Sequence, residues 1–143
     1  MAIQKSLVLI KPDAVERNLI GKILNMYEEN GLKITALKME QITIDFAEEH
    51  YREHIGKSFF RSLISYITRS PLVALVLEGD NAIEKIRKIN GATNPEVAEE
   101  GTVRKRFAID KTENSVHASD SVESANREIA LWFENCRDFE YWG

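Results

Sequence analysis

Two uninterrupted apolar runs constrain this chain more than any other feature: Ser6-Leu7-Val8-Leu9-Ile10 near its start and Leu72-Val73-Ala74-Leu75-Val76-Leu77 at its middle. A strand with one wet face alternates apolar and polar residues, whereas a continuous apolar run suits a strand covered on both faces. The segments between and after them carry helical periodicity. Ile20, Ile23, Leu24 and Tyr27 follow helical spacing, and Asn30-Gly31 reads as a C-terminal stop. Leu32, Ile34 and Ala36 alternate, then Leu37 and Met39 alternate on the opposite phase, which predicts a strand with a bulge or a change of burial.

Punctuation fixes the rest of the order. Pro12 ends the first strand and turns the chain. Asp45 and Glu48 make a capping-box-like start for a helix through about His54. Ser58 is placed to cap a second helix that carries Phe60, Leu63, Ile64 and Ile67, and Pro71 stops it before the second apolar run. Gly79-Asp80 turns into a helix with Ile83, Ile86 and Ile89 inward, ending at Asn90-Gly91. Residues 92–113 are polar and aperiodic and read as a long ordered loop. A short strand near His117 follows, then Asp120 and Glu123 cap a last helix with Val122, Ala125, Ile129, Trp132 and Phe133 as its stripe. Without the helical hairpin the order is βαββαβ. The expected fold is α/β (α+β): a ferredoxin-like antiparallel sheet with an inserted helical hairpin. At 143 residues, with no repeat or linker, the chain is expected to be one domain, 1–143.

Composition narrows the function. The net charge of −4 does not favour general attraction to nucleic acid or anionic lipid, so a local basic pocket would be specific. The lone Cys136 excludes an intramolecular disulfide and a thiolate metal cage. No run approaches the roughly 20 apolar residues that span a bilayer. The first residues, Met1-Ala2-Ile3-Gln4-Lys5, lack the apolar core of an export signal, so a cytoplasmic location is expected.

Chemistry concentrates in Asn114-Ser115-Val116-His117-Ala118-Ser119-Asp120-Ser121, where one histidine stands among small and hydroxyl-bearing residues just before a helix start. Such a histidine can be exposed as a nucleophile with room for a phosphoryl group beside it. Lys11-Pro12-Asp13, Asn90-Gly91-Ala92-Thr93-Asn94-Pro95 and Gly101-Thr102-Val103-Arg104 accompany it. Neither G-x-x-x-x-G-K-[ST] nor G-x-G-x-x-G is present, so a nucleotide site here would hold phosphates with side chains.

In order and nearly end to end, these segments resemble the nucleoside diphosphate kinase family. The resemblance implies the ferredoxin-like fold and transfer of a γ-phosphate from ATP or another triphosphate to nucleoside diphosphates, in ping-pong fashion through a phosphohistidine. It implies His117 as nucleophile, Glu128 as its orienting carboxylate and Ser119 as a supporting hydrogen-bond partner. Lys11, Arg87 and Arg104 would contact phosphates; Thr93 and Asn114 would make polar nucleotide contacts. Phe59 would stack on the base with Tyr51 and Leu63 beside it. Mg²⁺ would ride on the nucleotide phosphates, with no tight metal site in the protein. The family forms homo-oligomers, so a tetramer or hexamer is expected, with neither membrane nor nucleic acid as a required partner.

The chain departs from the family's pattern in three places. Lys111 stands where an aliphatic residue often meets the base, Arg104-Lys105-Arg106 is unusually basic, and Ala118 replaces a glycine. Two rival readings compete. His50-Tyr51-Arg52-Glu53-His54 spells H-x-x-E-H, which on a helix would offer two histidines to zinc with Glu53 as base. A ferredoxin-like RNA-binding module would instead show aromatics on its central strands, and runs 6–10 and 72–77 carry none.

Overall fold

The computed structural model describes residues 2–134; Met1, Cys136 and the Trp142-Gly143 tail lie outside the described residues. β1 (Ile3–Ile10) and β3 (Leu72–Asp80) lie side by side, antiparallel from Ile3↔Asp80 to Ile10↔Val73. β2 (Lys33–Glu40) joins the outer edge of β3, and β4 (Val116–Ala118) the outer edge of β1. The sheet order is therefore β2-β3-β1-β4, antiparallel throughout.

Central placement explains the two apolar runs, because every residue of 6–10 and 72–77 is buried. Alternate side chains enter opposite faces. Val8, Ile10, Val73, Leu75 and Leu77 pack against Ile23 and Tyr27 of α2 (Ile20–Glu29) and Ile86 of α5 (Ala82–Asn90). Leu7, Leu9, Leu72, Ala74 and Val76 pack against Ala47 of α3 (Ile44–His50), Ile64 and Ile67 of α4 (Phe60–Ile67), and Trp132. Each fully buried Leu or Ile contributes about 1.5–3 kcal/mol, so one sheet anchors two cores. The hairpin insertion, α3 with α4, covers one face, and βαββαβ order survives around it.

The register of β2 slips between Ile34 and Ala36, the bulge that the phase change predicts. Beyond it Leu37 and Met39 stay about half exposed on the sheet's free edge.

Local signals err mostly at element ends. Thr43, not Asp45, caps α3 by accepting from Phe46 N at 3.1 Å. That helix stops at His50, and a 3-10 turn, Arg52–His54, follows. Ser58 caps nothing, since α4 starts beyond Phe59 without a side-chain cap. Gly79 and Asp80 remain in β3, and the turn falls on Asn81 at φ 50°. Pro12 opens a short helix, α1 (Pro12–Glu16), where its fixed φ and missing N–H suit the first turn. The loop 92–113 contains α6 (Val103–Phe107), capped by Thr102 Oγ1 accepting from Lys105 N at 3.2 Å. Ser121, not Asp120, caps α7 (Val122–Ile129), accepting from Ser124 N at 3.0 Å, and Val122 is exposed rather than in the stripe. Among the described residues no helix is long and apolar enough to cross a membrane.

Candidate active site

β4 places His117 opposite Leu9, so its side chain emerges on the Leu9 face of the sheet. The chain then stays tied to β1: Ser119 N donates to Leu7 O at 3.1 Å, and Leu7 N donates to Ser119 Oγ at 3.1 Å. α7 returns over this face and brings down Glu128, only 5% exposed. Glu128 Oε1 receives His117 Nε2 at 3.1 Å and Ser119 Oγ at 2.7 Å. An ionised carboxylate can only accept. The network therefore assigns the proton to Nε2 and leaves the Nδ1 lone pair available. Burial alone would raise the Glu128 carboxyl, but the hydrogen bond and charge of His117, the Ser119 hydroxyl and the Arg127 guanidinium outweigh it and hold the group below its usual range.

His117 opens onto a cavity of about 1140 Å³, slightly above the roughly 300–1,000 Å³ of most small-molecule and cofactor sites. Every nucleotide-contact residue expected from the sequence lines it: Lys11, Tyr51, Phe59, Leu63, Arg87, Thr93, Arg104 and Asn114. Lys11 is buried at the end of β1, its Nζ donating to Asn114 Oδ1 at 3.0 Å. Burial, with the Arg104 charge adding to it, pushes the Lys11 ammonium down to about 7. Arg104 is half-buried and braces three backbone carbonyls: Asn114 O at 3.3 Å, Gly91 O at 2.8 Å and Val116 O at 2.8 Å. A guanidinium has five N–H groups, so two remain for a ligand. Gly91 ends α5 at φ 84°, and a Cβ there would stand 2.6 Å from Thr102 Oγ1; only glycine permits that approach.

The opposite wall is built by the helical hairpin. Phe59 is 46% exposed at the head of α4, with Leu63 one turn further along the same helix. Tyr51 lies deeper, 7% exposed, and its buried hydroxyl has no hydrogen-bond partner among the described residues. Lys111 also faces the cavity, from the loop where Ile109 N donates to Glu113 O at 2.9 Å.

Sequence reasoning missed three neighbours. His50 is buried with its ring 4.9 Å from that of His117, edge to face, and its Nδ1 accepts from Trp132 Nε1 at 3.1 Å. Burial, then the nearby charges of His117, Lys11 and Arg127, holds His50 well below the usual imidazole range. The helix on which the H-x-x-E-H reading depends ends at His50, and His54 sits in the 3-10 turn beside Lys57. Arg127 lies 3.8 Å from Glu128 Oε2, adjoining a residue that was singled out. Asp120, held low by a Ser124 hydrogen bond with help from the Arg87 charge, lines the cavity just ahead of α7.

A carboxylate-oriented imidazole facing a cation-lined cavity is the equipment of a nucleotide phosphotransferase. Comparison with known proteins makes the class particular. The nucleoside diphosphate kinase family model matches residues 4–137. The chain is 72% identical to a nucleoside diphosphate kinase of Clostridium perfringens strain SM101 over 133 residues, 93% of each chain. It is 55% identical to one of Methanobrevibacter smithii over 139 residues, covering 97% of this chain and 93% of that one. A crystal structure of the Aquifex aeolicus nucleoside diphosphate kinase superposes with a TM-score of 0.90 at 41% identity, covering 94% and 97% of the two chains. The chain belongs to the nucleoside diphosphate kinase family, and its activity is that of a nucleotide-binding kinase.

Proposed function

We propose that His117 carries the phosphoryl group between nucleotides. Nδ1 attacks the γ-phosphorus of a nucleoside triphosphate; an N–P bond forms, the bond from phosphorus to the β–γ bridging oxygen breaks, and the diphosphate departs. A terminal oxygen of a second nucleoside diphosphate then attacks the same phosphorus and restores the imidazole. Glu128 keeps the proton on Nε2 and stabilises the positive charge that ring acquires, while Ser119 fixes the carboxylate. Lys11, Arg87 and Arg104 offset charge spreading over the transferring oxygens, and Thr93 and Asn114 hold sugar and phosphate. The base rests on Phe59 with Leu63 and Tyr51 beside it, a sequence-tolerant arrangement because every base has a π face. Mg²⁺ would be carried by the nucleotide phosphates rather than by protein carboxylates, and would offset part of their charge.

The observation that carries this reading is the 3.1 Å contact of His117 Nε2 with a buried carboxylate, which leaves Nδ1 as the free nucleophile. The same reading makes 1–143 a single domain, since both cores share one sheet. It also makes the active form a cytoplasmic homo-oligomer, a tetramer or hexamer. Leu37 and Met39, half exposed on an edge strand whose outer side pairs with no other strand of the described residues, are the kind of surface that another copy covers. Incubation with γ-labelled ATP and Mg²⁺ tests the mechanism. Acid-labile, base-stable label appears on the wild-type chain, is discharged by GDP and is absent from a folded His117→Gln variant; label or turnover retained in that variant overturns the assignment.

A further inference from the structure

Asp13 is 1% exposed yet plays no part in the steps above. A carboxylate so buried is tolerable only with donors around it. It has four: Tyr66 Oη, Arg17 Nη2 at 2.8 Å, Ser115 N at 3.2 Å and Ser115 Oγ at 2.9 Å. Two of the four come from one residue, 102 positions away in sequence.

Ser115 is fully buried and sits at φ 70°. Among the described residues two other non-glycines have positive φ, Asn18 and Asn81, and asparagine enters that region readily. Serine has no such ease, so something must hold it there. The Asp13 carboxylate grips both its N–H and its hydroxyl, while its carbonyl receives Lys11 N at 2.8 Å. Its neighbours are the working residues. Asn114 receives the Lys11 ammonium, and His117 follows two positions later on β4.

We propose that Asp13 is a positioning residue that clamps Ser115 in the left-handed conformation and thereby aligns Lys11, Asn114 and His117 for phosphoryl transfer. The inference rests on the phosphohistidine reading above. Tyr66 and Arg17 hold the clamp in turn, Arg17 also donating to Phe107 O at 2.7 Å. Releasing Ser115 to negative φ would redirect the peptide that joins Asn114 to β4, and misplacement on that scale costs on the order of ten- to a hundredfold in rate.

Glycine adopts positive φ without a clamp, which supplies the test. Asp13→Ala lowers kcat about tenfold or more, and the double variant Asp13→Ala with Ser115→Gly regains most of it. With Asp13 intact, Ser115→Gly and Ser115→Ala lose the same hydroxyl, but only the alanine variant falls in kcat, because only it must be forced into positive φ. A folded double variant no faster than Asp13→Ala, or equal kcat in the glycine and alanine variants, overturns the proposal. If Asp13→Ala does not fold, the glycine–alanine pair decides alone. Labelling of the wild-type chain with γ-labelled ATP, run alongside, separates the two claims: label on the wild type without glycine rescue sinks the clamp, whereas absence of label sinks the phosphohistidine.

Discussion

The floor of the cavity and its rim are built on different terms. On the floor, Lys11, Asn114, Ser119 and Glu128 are buried, each is hydrogen-bonded to another part of the chain, and His117 stands on a strand. At the rim, Phe59, Arg87, Thr93 and Lys111 are exposed, carried by helix ends and a loop. Fixed geometry serves a reacting phosphorus, whose position must be right to a fraction of an ångström. A tolerant, half-wet aromatic serves a base that differs from one nucleotide to the next. Substitutions on the floor should therefore act chiefly on kcat and those at the rim chiefly on KM, with the phosphate-facing cations Lys11 and Arg87 acting on both.

The floor gives the largest expected effect. Glu128→Gln lowers kcat by about 100-fold or more with little change in KM, because the amide removes the charge opposite Nε2 and can offer it an N–H, favouring the wrong tautomer. Steady-state kinetics check this, and unchanged kcat would detach Glu128 from the histidine. Next comes Lys11, a floor residue whose charge meets phosphate in the ground state and in the transition state, and so acts on binding and on kcat together. Its ammonium is the charged form below about 7 in the free protein and loses that charge as pH rises. Accordingly kcat/KM falls on the alkaline side of about pH 7, by at most about tenfold per unit, while kcat, reporting the loaded enzyme, holds to higher pH because phosphate favours the cation. Lys11→Arg removes that limb, since a guanidinium keeps its charge; a limb that persists would belong to another group. The smallest effect is at the rim. Phe59→Ala costs about 1 kcal/mol, roughly fivefold in KM with kcat kept. A fall in kcat instead would erase the distinction between floor and rim.

The same division governs what the sequence made legible. Continuous apolar runs announced β1 and β3 because burial on two faces leaves no room for polar residues. Phe59 stands one place ahead of the α4 stripe, and its half-exposed ring is what a position outside that stripe should show. Glu128 in isolation resembles a solvated helix charge, and only family resemblance singled it out; its burial depends on β4 and α7 meeting over β1. The packing of His50 against Trp132 joins positions 82 apart, and no local pattern encodes it. The Asp13–Ser115 pair was equally invisible, because the demand for positive φ arises from where the two chain segments cross. Helix caps failed for a humbler reason: Thr43 and Ser121 stand beside acidic residues that offer equally good oxygens.

The three-residue β4 docks on a strand formed at the other end of the chain, with Leu7 and Ser119 bonded across 112 positions. Contacts so distant in sequence carry a large loop-closure entropy, which the surrounding packing has to offset. β1 pairs with β3 from Ile3↔Asp80 to Ile10↔Val73, whereas β4 adds only the pairs from Val8↔Ala118 to Ile10↔Val116. The smallest pairing in the sheet is thus the one that holds the histidine, and it ties the beginning of the chain to a segment near the end of the described residues.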